Sequence, residues 1–463
     1  MSEKQKPAHP YIPNSAPNLK KAIMDDLGIN DIEQLYEDIP EKLRFRGELK
    51  IPEPILSELE VKKHVLNILS ENVSCEDNLS FLGGGCAQHY VPAIVDEVVN
   101  RSEFLTAYAG EPYEDHGRFQ ALFEYQSLMA ELLDMDVVNV PTYDWGQAAS
   151  TSVRMAERIT GRGEVLISEF ISDDRFKVIK NYCEPVMKVS RFKHDPLTGQ
   201  ININDLSSKI DKNTACVYFE NPSFFGIIEE QGDQISEIIH KNGSIMIVGT
   251  DPISLGVLKP PSHYGADIVC GDIQTLGNHM YFGGSLAGFI ATRDDKKFVA
   301  EYPSRLFGIA HTSVEGEWGF GDVLYDRTSF GEREKGKEFV GTAAALYGIA
   351  AAVYLSLMGP EGMKELGQTI IQRALYAKKQ ISEIPGVKIK FNSANFKEFV
   401  VDFSDTGKDV EYINQKLREL GIFGGHSLEP NFPDLKNCAL YCVTEIHSKN
   451  DIDRLVNEIR NIV

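Results

Sequence analysis

The stretch ACVYFENPSFFGIIEEQGDQISEIIHKNGSIMIVGTD (215–251) decides the architecture. Its two ends, ACVYFE (215–220) and SIMIVGT (244–250), are continuous apolar runs of strand length. A strand that is apolar at every position is covered on both faces, as in parallel sheets packed under helices. Between these runs, DQISEIIHKNG (233–243) places isoleucines at helical spacing and ends on Gly243, a helix stop. Strand, helix, strand makes one βαβ unit.

The alternation continues on both sides. EVLIS (164–168) reads as a strand, DDRFKVIKNYC (173–183) as its crossover helix and VMKVSRF (186–192) as the next strand. ADIVCGD (266–272) and SLAGFIATR (285–293) close the series. Residues 76–325 are therefore expected to form a large α/β domain with a mainly parallel sheet. Residues 1–75 read as an N-terminal arm: LKKAIMDDLGI (19–29) and IEQLYEDI (32–39) are short amphipathic patterns, and the proline-punctuated 45–72 stretch ends in another helix. An arm this apolar must bury itself against its own body or a neighbouring subunit. Residues 326–463 predict a small α+β domain. It opens with GTAAALYGIAAAVYLSLMG (341–359), apolar nearly all round and so a buried helix, followed by strands at VKIKF, EFVVDF and ALYCVTE and helices at 409–421 and 450–463.

At 463 residues, 42% apolar and 25% charged, the composition is ordinary for a globular chain and excludes neither enzyme nor scaffold. A net charge of −21, spread along the chain, weighs against nucleic-acid and membrane partners, because it repels phosphate backbones and anionic lipids. Seven cysteines form no CxxC pair and no metal-ligand spacing, so no metal site is expected. The polar N-terminus lacks the apolar core of a signal peptide, and no run approaches the roughly 20 apolar residues of a membrane span. Free thiols and these features predict a cytoplasmic protein.

In open α/β sheets ligands bind beyond the carboxyl ends of the strands. Asp251 follows SIMIVGT at such an edge. A carboxylate there either caps the next turn or, in pyridoxal-phosphate (PLP) sites, pairs with the pyridinium nitrogen. Gly146-Gln147 opens a small-residue helix whose N–H groups either hold a phosphate or merely pack closely. GGGCAQHY (83–90) is a glycine-rich turn carrying His89 and Tyr90, without P-loop or Rossmann spacing. A covalent PLP site needs a lysine at the strand end that follows the Asp. The matching stretch has no lysine from Gly265 to Thr292, and Lys259, ahead of the strand, reads as a surface residue.

These segments resemble one family. TDPISLGVLKPPSHYGADIVCGDIQTLGNHMYFGGSLAGFIATRDD (250–295) is similar to the matching part of subunit 1 of decarboxylating glycine dehydrogenase, the glycine cleavage system P protein. So are 81–108, 120–139, 218–230, 350–367 and 432–455, in family order from about residue 39 to the end. The resemblance implies a fold-type-I, aminotransferase-like PLP-transferase architecture. It implies a chain with no catalytic lysine of its own, Gln274-Thr275 standing where subunit 2 carries a His-Lys pair. The cofactor is then pyridoxal phosphate held covalently by the partner, and the partners are subunit 2, in an α2β2 assembly, and lipoylated H protein. The implied reaction releases CO2 from glycine and passes the aminomethyl group to the lipoyl arm. Gly283, Gly284 and Ser285 are candidates to reach the partner's PLP phosphate, Tyr108 to lend an aromatic ring, and His89 and Tyr90 to line the channel. Asp251, Gly146 and Gln147 would be vestiges of a cofactor site.

The sequence departs from the family at AGEPYEDHG (109–117), at YDRTSFGEREKGKEFVGT (325–342) and at Trp145, which interrupts the usual Tyr-Asp-Gly turn. Site loops that differ on a kept scaffold leave two alternatives: a paralogous PLP complex acting on another amino acid or amine, or a purely structural pseudoenzyme partner.

Overall fold

The computed structural model describes residues 11–12, 15–47, 49–105, 116–323, 336–338, 340 and 344–463. The chain divides into two units, Met1–Asn72 and Val73–Val463. In the first, α1 (Pro17–Leu27) stops at Gly28 in the left-handed region (φ 67°), and α2 (Glu58–Leu69) starts on a Ser57 cap. Two 3-10 turns lie between them. None of the described residues of this unit is buried, so its leucines and isoleucines are left with apolar surface on show.

The second unit opens with β1 (Leu79–Ser80), α3 (Ala93–Val99) and α4 (His116–Leu133). Then come β2 (Val137–Val138), α5 (Trp145–Thr160), β3 (Glu164–Ser168), α6 (Asp173–Cys183) and β4 (Lys188–Phe192). The series continues with α7 (Ile203–Lys209), β5 (Thr214–Glu220), α8 (Gly232–Lys241), β6 (Ile245–Gly249), β7 (Ile268–Asp272) and β8 (Gly288–Thr292). The sheet they build runs β2-β8-β7-β6-β5-β3-β4. Pairing is parallel from β4 through β7, while β8 is antiparallel to both β7 and β2.

The reason for the all-apolar strands is visible in their alternation. Val217, Phe219, Met246 and Val248 enter one core, with α4 and the later helix Ala345–Ser382, whereas Cys216, Tyr218, Ile245 and Ile247 enter a second, under α5 and α6. Both faces are covered, so polar residues are confined to the strand ends, as Thr214 and Glu220 are on β5.

After α9 (Lys296–Val299) a hairpin of β9 (Phe307–His311) and β10 (Trp318–Asp322) leads to the long α10 (Ala345–Ser382). The expected apolar helix is present and buried from Gly348 to Leu355. Gly359 (φ 58°, ψ −178°) and Pro360 break it in two, because the ring removes a donor and cannot continue the preceding turn. The last part holds β11 (Lys388–Ile389), β12 (Glu398–Asp402), α11 (Val410–Glu419), β13 (Ile422–Phe423), β14 (His426–Ser427), β15 (Cys438–Cys442) and α12 (Lys449–Ile462). Its antiparallel sheet runs β11-β12-β15-β14, and β13 pairs with β1. VKIKF, read as a five-residue strand, pairs only at Lys388–Ile389.

Candidate functional site

The carboxyl ends of β5, β6 and β7 meet the segment that leads into β12. From β6 comes Asp251, whose Oδ1 accepts a hydrogen bond from Thr275 Oγ1 at 2.8 Å and another from the Ile253 N–H at 3.2 Å. Capping of the following 3-10 turn and service in the cleft are thus combined in one side chain. Its second oxygen, Oδ2, lies 2.6 Å from Lys397 Nζ and is met by the ammonium charge rather than by an aligned hydrogen bond. Both side chains are almost wholly buried, at 12% and 8% exposure. Burial alone would raise the Asp251 pKa, but Lys397 outweighs it and holds the carboxyl below its ordinary value. Burial likewise pulls Lys397 down, and Asp251 more than restores it.

Lys397 Nζ also lies 3.4 Å from His89 Nε2, and His89 Nδ1 lies 2.8 Å from Glu445 Oε2. The other Glu445 oxygen accepts the Tyr90 N–H at 2.8 Å. Burial opposes ionisation of Glu445, but the His89 ring and the Tyr90 N–H prevail and hold its pKa at about 2. A carboxylate can only accept, so His89 donates from Nδ1. The glycine-rich turn is thereby tied to the C-terminal sheet. Gln274 ties it to the central sheet: its amide accepts from Ala87 N–H at 3.3 Å and donates to Ala87 O at 3.0 Å. Gly85 takes φ +116°, a conformation that L side chains rarely adopt.

The other wall is aromatic and charged. The Arg175 guanidinium lies 3.9 Å from the centre of the Trp145 ring and pairs with Glu220 Oε1 at 2.5 Å. Trp145 Nε1 donates to Tyr218 Oη at 3.0 Å, and that hydroxyl donates to Glu220 at 3.0 Å. The close approach depends on Gly249, where a Cβ would lie 2.7 Å from the Tyr218 hydroxyl. Asp272, at the end of β7, is pushed up to about 7 by burial, against the opposing pull of Arg175. The space left between the walls is a cavity of about 40 Å³, room for a water or so, where a small-molecule site needs several hundred.

Of the residues singled out in the sequence, Asp251 and Thr275 line this cleft, His89 reaches it through Lys397, and Tyr90 stands exposed. Gly146 and Gln147 do open α5, but the Gln147 N–H is taken at 2.7 Å by the Asp144 carboxylate, which places an anion where a phosphate would have to sit. Gly283, Gly284 and Ser285 form an exposed turn apart from that network. The backbone is left-handed at Phe282 (φ 57°), Gly283 (φ 79°) and Ser285 (φ 54°), and the Phe282 ring is fully exposed. Tyr108 lies outside the described residues, as do Ala109–Asp115 and most of 325–342. Sequence reasoning missed Lys397, Arg175 and Glu220. The signal was there for two of them: Glu220 ends an otherwise apolar strand, and Lys397-Glu398 sets two charges at the head of another.

The cleft as it stands does not fit pyridoxal phosphate. The amine is missing, Asp251 is already paired with Lys397, the α5 N-terminus is capped by a carboxylate, and the volume is too small. Among the described residues no group of three or more His, Cys, Asp or Glu is placed to hold a metal, and no helix is long and apolar enough to cross a membrane.

Comparison with known proteins follows the same lines. The family model described as glycine cleavage system P-protein matches residues 9–459. The chain is 40% identical over 467 residues to the probable glycine dehydrogenase (decarboxylating) subunit 1 of Staphylothermus marinus, covering 98% of both chains. It is 39% identical over 461 residues to the protein of the same description from Saccharolobus solfataricus, again covering 98% of each. Among solved structures, a glycine decarboxylase (P-protein) of the glycine cleavage system in inhibitor-bound form superposes with a TM-score of 0.84 at 32% identity, over 98% of this chain and 100% of that one. A sphingosine-1-phosphate lyase from Burkholderia pseudomallei shares the fold alone, with a TM-score of 0.63 at 14% identity over 92% and 94% of the two chains. The architecture is the fold-type-I arrangement, a mixed α/β fold with a mainly parallel central sheet.

Proposed function

Since this chain belongs to the glycine cleavage system P-protein family, we propose that it is the subunit without the cofactor-binding lysine in a two-chain glycine decarboxylase. The assembled enzyme releases CO2 from glycine and transfers the aminomethyl group to the lipoyl arm of H protein. Pyridoxal phosphate, held by the lysine of the second subunit, supplies the electron sink for loss of CO2. The single observation that carries the reading is the absence of any lysine from Gly265 to Thr292, the stretch in which Thr275 bonds to Asp251 instead. No step of the reaction runs through this chain's own cleft.

What the chain contributes is surface. It is organised in this reading as an arm (1–75), an α/β domain (76–325) and an α+β domain (326–463), which together complete an α2β2 assembly in the cytoplasm. Within the exposed turn, the Gly283 and Gly284 N–H groups are used by the Met280 and Tyr281 carbonyls. That leaves Ser285 as the member able to reach the phosphate on the partner-held cofactor. Tyr108 would add a ring across the interface and Tyr90 a wall of the lipoyl channel, while Asp251, Gly146 and Gln147 are remnants.

The test is reconstitution. The chain, a lysine-bearing second subunit, PLP and lipoylated H protein are mixed, and CO2 release from carboxyl-labelled glycine is followed. Activity is expected only with both chains, and Ser285→Ala should raise the PLP concentration needed without loosening the assembly. Turnover by this chain alone, or PLP fixed to it stoichiometrically by borohydride, refutes the proposal. A second reading, a paralogous complex, is favoured by Trp145 at a turn normally occupied by glycine. Turnover of another amino acid in place of glycine would select it.

A further inference from the structure

We infer that Lys397 has taken over the role of a cofactor cation in this chain's own cleft, converting it into a buried ionic joint that positions the glycine-rich turn and Tyr90. The inference deepens the function proposed above and uses its assignment of the cofactor to the second subunit.

A carboxylate buried at the end of a central strand is unstable without a positive partner. In a cofactor-loaded cleft of this fold, the ring cation supplies that partner. Here Lys397 enters from the opposite wall, just ahead of β12, and brings its ammonium to 2.6 Å from Asp251 Oδ2. Thr275 holds the other oxygen at 2.8 Å. The charge of the carboxylate is therefore met from within the polypeptide, and the site has no remaining need for a ligand.

The ammonium also links the cleft to the surface. Its contact to His89 Nε2 (3.4 Å), the His89 bond to Glu445 (2.8 Å) and the bond from the Tyr90 N–H to Glu445 (2.8 Å) run in series from the sheet edge to an exposed ring. The residues concerned come from four separate stretches of the chain: 89–90, 251 and 275, 397, and 445. With Gln274 pinning Ala87 from the sheet side, the turn that carries Tyr90 is fixed at two points. A joint of this kind keeps the central sheet, the C-terminal sheet and the turn in one arrangement irrespective of ligand. The Arg175 guanidinium against Trp145, neutralised by Glu220, closes the other half of the space in the same internal way. Lys397 is thus a positioning residue and touches no substrate.

The experiment is a double-mutant cycle in the assembled two-subunit complex, with Lys397→Met, Asp251→Asn and the double variant. Lys397→Met strands a buried carboxylate and should lower the melting temperature by roughly 5 °C, whereas the double variant, with no stranded charge, should regain at least about half of the loss. In the same complex, Lys397→Met should raise the KM for H protein by at least about threefold while kcat changes by less than about twofold, because Tyr90 is displaced but the partner's chemistry is untouched. A wild-type measurement needs no variant: pyridoxine 5′-phosphate, which lacks the aldehyde and cannot react with surface lysines, should neither quench Trp145 nor raise the melting temperature of the purified chain. Additive losses in the cycle, an unchanged KM for H protein, or saturable quenching by pyridoxine 5′-phosphate overturns the inference. A coupled cycle in a complex that does not turn over glycine would instead leave the joint standing and remove the functional assignment.

Discussion

Asp272 offers a sharp quantitative test of the cleft. Its carboxyl, buried at the end of β7, has a pKa raised from the ordinary 3.8 to about 7, first by burial and against the pull of Arg175. A raised carboxyl pKa means that the folded state holds its proton more tightly than the unfolded state between those two values. The contribution to stability is then fully present below about pH 4 and is lost as pH rises through 7. At about 1.4 kcal/mol per tenfold change in proton affinity, the rise is worth about 4 kcal/mol. Asn is nearly isosteric and cannot ionise, so Asp272→Asn should match the wild type near pH 4 and exceed it at pH 8. For a unit the size of Val73–Val463, 4 kcal/mol corresponds to roughly 5 °C in melting temperature.

The assay is thermal unfolding followed by circular dichroism at intervals from pH 4 to pH 8.5, read as the difference between the two proteins. Differencing matters because His194, whose pKa is driven down to about 3 by burial and by Arg191, and His447, also lowered by burial, impose the opposite trend. For those imidazoles stability is lost as pH falls below about 6.5, and the loss is common to both proteins. A difference that is flat with pH, or a variant less stable at pH 8 than at pH 4 relative to wild type, refutes the assignment of a strained carboxylate.

Three further outcomes are expected. Gly226→Ala places a Cβ 2.1 Å from the Glu398 carbonyl oxygen at a φ of +77°, and with backbone on both sides it should cost more than about 3 kcal/mol in urea unfolding; a normal midpoint would mean that the loop can move away. Tyr218→Phe removes the acceptor of the buried Trp145 N–H and a donor to Glu220, so stability should fall by about 1–3 kcal/mol and Trp145 emission should shift; neither change would be expected if the ring simply packs. Glu445, held at about 2, stabilises the fold above about pH 4.5 and loses that contribution as pH falls toward 2. Glu445→Gln should therefore be less stable than wild type at pH 6 and approach it in acid, and parallel curves would argue against the His89 pairing.

The amino-acid sequence by itself determined the parallel sheet, because strands covered on both faces have no polar position to spare and so read as uninterrupted apolar runs such as ACVYFE and SIMIVGT. It also determined the missing amine, since a lysine absent from Gly265 to Thr292 cannot be supplied by any folding of that stretch. Asp251 was legible as a residue at a strand end; in space it caps the following turn and pairs with Lys397, a partner the sequence did not point to. Lys397, Arg175 and Glu445 were not legible as members of a site. Each is a charged residue of a common kind, and although Lys397-Glu398 stands out at the head of a strand, nothing local names the partners, which lie from tens to hundreds of positions away. Only tertiary structure decided which of these charges are buried, and burial is what makes their pairing obligatory: an ion removed from water must find its counter-ion within the fold, and the counter-ion of Asp251 is Lys397.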